Sequence, residues 1–385
     1  MPRAPGFAPV VNAMRGGIFS HLAHRIAALR GEVYPLHVGD TWLEPMEGAR
    51  MENFKVSEHP GMHRYSVPHG HPALLAAIEE RHTSAGQKLT RDEVLVTAGA
   101  TGGLGAVAGA TLEPGDEVLV LSPYWPLIKG IVETAGGKAV EVPFFDRRAL
   151  GGGGLDVHAV LDHYVTPRTV ALYVNTPNNP TGRVLHADEV LGLATFARRN
   201  ALWIWADEVY ERYAYASPHA SIRDQAPERT FGAYSFSKAY GMAGNRCGYV
   251  VGPKDAMLQV RKVATHSFYA APTASQLAGA FVLRHGDPWI EAARRQYLRV
   301  GTEVAEMLGV EPPEGGTFLF VDVAKHLGPR GIRGFLEDCL DDNLVLAPGD
   351  SCGRDYETFV RICFTAAPPE VVRRGAAVLA KRLGR

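Results

Sequence analysis

The chain has 385 residues, 46% of them hydrophobic and 21% charged, with a formal net charge of -1. That length suits two or three domains of about 150 residues each, and the apolar content suits a sizeable core. The near-neutral balance leaves no basic field for nucleic acid or an anionic membrane surface.

Residues 10–30 predict a helix, with Ile18, Leu22, Ile26 and Leu29 at spacings of three and four. The first thirty residues carry Arg3, Arg15, Arg25 and Arg30 around no long apolar core, so a secretory leader is not expected. No stretch is apolar enough to span a bilayer. From Tyr34 to Pro72 the chain is Pro- and Gly-bearing, without a period, and is expected to wrap over something. Short apolar runs then alternate with helical segments. The runs are Glu93–Thr97, Glu117–Leu121, Ala139–Pro143, Thr169–Val174, Ala201–Ala206, Phe231–Ser235 and Cys247–Val251. This alternation predicts an α/β fold, a largely parallel sheet with crossover helices on both faces. Gly151–Gly154 reads as a surface loop. A helical region from Asp255 to Glu306 is expected to break at Pro272 and near Pro288. Strands at Thr317–Val323 and Phe359–Phe364, separated by helix, predict a smaller α+β part, joined by the N-terminal helix. Cys247, Cys339, Cys352 and Cys363 lie far apart, without metal or redox spacing. They read as reduced residues of a cytoplasmic protein.

Ligands of open parallel sheets bind beyond the carboxyl ends of the strands, and four segments sit there. Thr97-Ala98-Gly99-Ala100-Thr101-Gly102-Gly103 lets backbone N–H groups approach an anion at a helix N-terminus, so a phosphate fits. Gly103-Leu104-Gly105-Ala106-Val107-Ala108 also matches a dinucleotide fingerprint, which keeps an NAD-dependent oxidoreductase as an alternative. Asn175-Thr176-Pro177-Asn178-Asn179-Pro180-Thr181-Gly182 makes a stiff polar turn, able to present an amide. Trp203-Ile204-Trp205-Ala206-Asp207-Glu208-Val209-Tyr210 is an apolar strand ending in a carboxylate, suited to a pyridinium N–H. In Tyr234-Ser235-Phe236-Ser237-Lys238, two hydroxyls flank an amine, and Arg246 follows eight residues on. An amine so placed suits a Schiff base to a phosphorylated aldehyde, pyridoxal 5'-phosphate.

Together, the Asn-Pro-Thr-Gly, Asp-Glu-Val-Tyr and Ser-Phe-Ser-Lys strings resemble the class I/II aminotransferase family, over nearly the whole chain and in the right order. The resemblance implies the pyridoxal-phosphate fold type I of the aspartate-aminotransferase kind. It implies a large domain (46–280) with a mainly parallel seven-stranded sheet, and a smaller α+β domain (1–45 and 281–385). It implies that Lys238 holds the cofactor and shuttles the proton, that Asp207 partners the pyridine nitrogen, and that Asn179 and Tyr210 bond the phenolic oxygen. Ser235, Ser237 and Arg246, with the backbone at Ala100 and Thr101, resemble the phosphate cup. Trp125 falls where the family stacks an aromatic on the ring. Tyr65 falls where a tyrosine reaches the neighbouring subunit's phosphate, which implies a homodimer with shared active sites. Arg361 resembles the arginine that clamps the substrate α-carboxylate, and Gly39 the glycine over the substrate. The substrates implied are an α-amino acid and a 2-oxo acid.

Two departures stand out. The helix after Thr101 is glycine-rich and carries no basic residue, and the segment Pro35–Pro45 is longer and more aromatic than a minimal substrate loop, with Trp42 expected to shape the pocket. Neither offers a cation for a second carboxylate, so a neutral or apolar amino acid is expected over aspartate. Histidines 59, 63, 69 and 71 cluster, but Pro and Gly between them spoil ligand spacing, and no metal site is expected. A lyase, cyclase or decarboxylase of the same fold shares the cofactor residues. A non-catalytic pyridoxal-phosphate sensor of the regulator type would need a DNA-binding domain for which the chain has no room.

Overall fold

The computed structural model describes residues 4–14, 22–147 and 154–385. All seven expected strands form, each within two residues of its sequence bounds: Val94–Thr97, Glu117–Ser122, Lys138–Pro143, Thr169–Asn175, Trp203–Asp207, Thr230–Ser235 and Gly248–Val251. They make one sheet in the order Val94–Thr97, Gly248–Val251, Thr230–Ser235, Trp203–Asp207, Thr169–Asn175, Glu117–Ser122, Lys138–Pro143. Gly248–Val251 runs antiparallel to both its neighbours, and the other pairings are parallel. Six strands therefore point their carboxyl ends to one edge.

The two-residue alternation of the strands explains why both faces are covered. Leu119, Leu121, Leu172, Val174 and Ile204 turn to one core, shared with Val190, Leu193 and Phe196 of helix Ala187–Arg199. Val118, Val120, Tyr173, Trp205 and Val250 turn to the other, shared with helices Gly99–Thr111 and Lys254–Ser267. Each fully buried Leu, Val or Ile side chain contributes roughly 1.5–3 kcal/mol of transfer free energy.

The glycine pattern at 103–106 lies inside helix Gly99–Thr111, not at the turn before it. A Cβ on Gly103 would sit 2.5 Å from Val250 Cγ2, so this glycine lets the helix lie close on the sheet. A dinucleotide fingerprint needs its glycines at the turn, so that alternative is set aside.

The long helical region breaks as expected. Thr273–His285 starts after Pro272, and Asp287–Leu308 carries Pro288 in its first turn, where a missing N–H costs nothing. The C-terminal strands Phe318–Asp322 and Phe359–Cys363 pair antiparallel, with Ala347–Pro348 as a third member. Helices Asp287–Leu308, Gly331–Asp341 and Pro369–Arg382 cover this small sheet through Val304, Leu340 and Leu379. Tyr34–Pro35 pairs in parallel with Leu344–Val345, which ties this early segment to the C-terminal part. The proposed division at residue 280 falls inside helix Thr273–His285.

Within the expected helix 10–30, Pro9–Ala13 and Ala23–Ala28 are helical, while Ile18 lies outside the described residues. Pro9–Ala13 packs toward helix Leu127–Thr134, while Ala23–Ala28 reaches the C-terminal part, where Arg25 pairs with Asp341 at 2.7 Å. Of the expected glycine loop, Gly151–Gly153 lies outside the described residues. No described helix is long and apolar enough to cross a membrane.

Candidate active site

A cavity of about 250 Å³ opens at the carboxyl edge of the sheet, walled on its other side by Gly39, Phe318 and Arg361. Strand Thr230–Ser235 delivers the lysine. Ser235 ends the strand and caps the turn of helix Phe236–Ala239, its side chain accepting from Ser237 N at 3.1 Å. Lys238 stands on that turn, and its Nζ donates to the Gly39 carbonyl. Burial pushes the amine below the ordinary lysine range, helped by Arg361 and Arg246 and opposed by Asp40. A larger neutral fraction makes it a better nucleophile and base.

Asp207 ends the next strand, in register with Asn175 on one side and Ala233 on the other. Tyr173 OH donates to Asp207 Oδ2 at 2.6 Å. Oδ1 is buried without a hydrogen bond of normal geometry. Burial lifts this carboxyl to about 6, against the pull of the Tyr173 hydroxyl and the Val209 backbone N–H. A buried carboxylate oxygen still open to a well-formed hydrogen bond is the acceptor that a cofactor N–H requires.

Arg361 enters from strand Phe359–Cys363. Its Nη1 donates to Asn179 Oδ1 at 2.9 Å, and its Nη2 to the His37 carbonyl at 3.0 Å. The guanidinium carbon lies 4.4 Å from the centre of the Phe318 ring. Its Nε is buried without a partner. Burial, together with this cation, lowers the His37 imidazole to about 4, which keeps a second positive charge away. Because Asn179 accepts through Oδ1, its amide NH2 is left to donate into the cavity. Asn175 fixes the turn that holds it, accepting from Asn179 N at 2.7 Å and donating to the Asp207 carbonyl at 2.9 Å.

The anion corner is made by the first turn of helix Gly99–Thr111, where Ala100 and Thr101 line the cavity beside Ser235, Ser237 and Arg246. Gly99 has φ +71°, and a Cβ there would meet Arg246 Nη2 at 2.8 Å. The positive φ is the conformation that favours glycine here. Unpaired N–H groups at this helix start, plus a guanidinium, suit a phosphate. Trp125 and Tyr210 complete the lining, and the Tyr210 ring meets Phe318 edge-on at 5.9 Å. Burial pushes the Tyr210 hydroxyl above its ordinary range, so it stays a donor. The amine, the orphan carboxylate oxygen, the amide and the anion corner together fit pyridoxal phosphate.

The cavity thus gathers Gly39, Ala100, Thr101, Trp125, Asn179, Asp207, Tyr210, Ser235, Ser237, Lys238, Arg246 and Arg361. Tyr65 lies outside it, 91% exposed, with its ring against Tyr269. Trp42 also lies outside the lining. It is partly buried against the core, and its backbone N donates to the Thr365 carbonyl at 2.9 Å. Asn175 and Phe318 line the site without having been singled out. Asn175 opens the amide string, and its strand-end position was the available signal. Phe318 looks like any apolar strand residue.

The Asp207 carboxyl makes cofactor-free stability pH-dependent. Its folded value of about 6 exceeds its ordinary 3.8. Between those values the folded chain keeps a proton that the unfolded chain has lost, so stability falls as pH rises through this window. The expected loss is up to about 3 kcal/mol at 1.36 kcal/mol per unit. Chemical denaturation of the cofactor-free protein at pH 4 to 7 should show that loss, and Asp207→Asn should remove it. Equal pH slopes for the two proteins would contradict the assignment.

The sequence model of the family described as aminotransferase class I and II matches residues 32–379. The chain is 32% identical over 336 residues to the aspartate/prephenate aminotransferase of Thermus thermophilus, covering 84% of each chain. It is also 32% identical over 372 residues to the arginine–pyruvate transaminase of Pseudomonas aeruginosa, covering 92% of this chain and 91% of that one. The structure of Thermus thermophilus aspartate aminotransferase with maleate superposes with a TM-score of 0.88 at 29% identity, covering 98% of this chain and 100% of that one.

Proposed function

The chain belongs to the class I and II aminotransferases and is a pyridoxal-phosphate-dependent aminotransferase, and we propose that Lys238, Asp207 and Arg361 carry its chemistry. The observation that supports this reading is their convergence, as amine, orphan carboxylate and half-free guanidinium, in one cavity at the strand ends. The cofactor supplies an aldehyde for the amino group and a ring that takes up electron density. Asp207 would hold a proton at its ring nitrogen, and the Asn179 amide and Tyr210 hydroxyl would donate to its ring oxygen. The helix start at Ala100 and Thr101, with Ser235, Ser237 and Arg246, would hold its phosphate, and Trp125 would offer an aromatic face to the ring. Lys238 removes and returns the proton at substrate Cα, from a position fixed by the Gly39 carbonyl. Adding an amino acid to the holoenzyme should change the cofactor absorbance, and adding a 2-oxo acid should reverse it. Recovery of the original absorbance without any 2-oxo acid would favour a lyase or decarboxylase, which return the cofactor to its aldehyde form unaided.

Arg361 clamps the α-carboxylate, its Nε completing the pairing. Arg361→Ala should raise KM for every amino donor by roughly 100-fold, about 3 kcal/mol for a charged hydrogen-bond pair, while cofactor absorbance stays unchanged. Unaltered KM would remove Arg361 from the substrate. The cations of the lining are Lys238, Arg246 and Arg361, and each already has a task. Leu104, Leu127, Val209 and Phe318 make the remaining wall apolar. A neutral or apolar side chain therefore suits this site better than a second carboxylate. Steady-state kcat/KM should be lower for aspartate than for neutral amino acids. An aspartate value above every neutral one would contradict this and point to a cation from a second protomer.

We also propose a homodimer. Tyr65 and Tyr269, 91% and 41% exposed, form an aromatic pair that a partner's surface would bury. Tyr65 then serves the partner's phosphate. At limiting cofactor, heterodimers of Tyr65→Phe and Lys238→Ala subunits should be more active than either parent, because one site carries both lesions and the other neither. Verified heterodimers without recovery would count against sharing. Four buried free cysteines fit a cytoplasmic location.

A further inference from the structure

Directly after Asp207 stands a second buried carboxylate, which the chemistry above does not use. Consecutive residues face opposite ways, so Asp207 lines the cavity while Glu208 lines a chamber behind it. That chamber is about 20 Å³, room for one water and no ligand. Val209 and Ser235 border both spaces. Glu208 is 1% exposed. Its Oε2 accepts from Tyr234 OH at 2.9 Å, and its two oxygens accept from Ser221 Oγ at 2.9 and 3.0 Å. Ile222 N donates to Oε1 at 3.2 Å, and His219 Nε2 lies 3.6 Å from the same oxygen, an ion pair and not a hydrogen bond. Both His219 ring nitrogens are buried without a hydrogen-bond partner.

The ladder between the Asp207 strand and the lysine strand ends at Asp207 opposite Ala233. Glu208 continues it by one step on each level, its N donating to the Ala233 carbonyl at 3.1 Å and its side chain gripping Tyr234. Tyr234 is four residues before Lys238, and its ring stacks on Tyr249 at 4.9 Å. We propose that Glu208, with His219 as its counter-charge, is a positioning residue that fixes the spacing of Lys238 and Asp207 from behind the sheet. This rests on the roles given above to Lys238 and Asp207. The charges agree with it. Burial pushes the Glu208 carboxyl up, but His219, Ser221 and Tyr234 hold it below the ordinary range. Burial works against the His219 charge, while Glu208, Glu211 and Asp224, the acids facing it, keep it protonated above the usual histidine range.

Tyr234→Phe removes one hydroxyl and keeps the ring, and Glu208→Gln keeps the shape and removes the charge. In holoenzyme, Tyr234→Phe should lower kcat per bound cofactor by about 10- to 100-fold, the scale of ångström misplacement, with KM within about twofold. In cofactor-free protein followed by NMR, Glu208→Gln should lower the pKa of His219, and Tyr234→Phe should leave it raised. Full kcat per bound cofactor in Tyr234→Phe would overturn the proposal, as would lost stability with unchanged kcat per bound cofactor. An unshifted His219 in Glu208→Gln would overturn the counter-charge. Failure of the Lys238 role itself would show separately, as turnover surviving in Lys238→Ala.

Discussion

Lys238→Ala is expected to lower turnover at least about 1000-fold, some 4 kcal/mol of barrier, with the fold intact. The cavity offers no second amine, because Lys238 is the lysine of its lining. Lys129, Lys138 and Lys254 lie at the surface, their side chains 49%, 69% and 62% exposed. Among the residues lining the cavity, the other groups that could act as bases are Asp207, already bound to Tyr173 at the ring position, and Tyr210, whose hydroxyl burial keeps protonated. The anion corner is untouched by the substitution, so cofactor is still expected to bind through its phosphate. The measurement is kcat in cofactor-saturated variant, with circular dichroism as the control on folding. Near-normal turnover would remove Lys238 from the proton transfer.

Asp207→Asn is expected to be the second largest loss, roughly 100- to 1000-fold in kcat, the range for removing one preorganised electrostatic group. Asparagine fits the same space and keeps a Tyr173 contact, so the fold is retained. It carries no charge, and a ring nitrogen beside it has no reason to hold a proton. Asp207→Glu keeps the charge at a longer reach and should cost far less. The cofactor-free variant should also lose the pH-dependent instability that the raised carboxyl creates, an independent check on the same group. Equal kcat for Asn and Asp would show that the ring does not depend on this carboxylate.

Much of this arrangement was legible in the sequence because its signals are local. Leu119 and Leu121 alternate with Val118 and Val120, and that alternation states a strand covered on both faces. Asp207, Asn179 and Lys238 each follow such a run, which puts them on one edge of a parallel sheet. What stayed hidden depends on partners far away in the chain. Arg361 meets Asn179 across 182 residues and stacks on Phe318 from a neighbouring strand, and neither pairing has a local signature. Trp42 sits in the loop that carries Gly39, but it lies outside the cavity lining and packs against the core. The glycines at 103 and 105 mimicked a dinucleotide turn, though Gly103 serves close packing against Val250. A composition rule cannot separate a glycine needed for a turn from one needed for contact.

The most direct test of the account is where the cofactor is attached. Holoenzyme treated with borohydride, which fixes an aldehyde to the amine holding it, can be digested with trypsin and weighed. Modified Lys238 resists cleavage, so the account predicts one labelled fragment, Thr230–Arg246, heavier by one reduced cofactor. A label on any other lysine, with Lys238 cleaved normally, would contradict it.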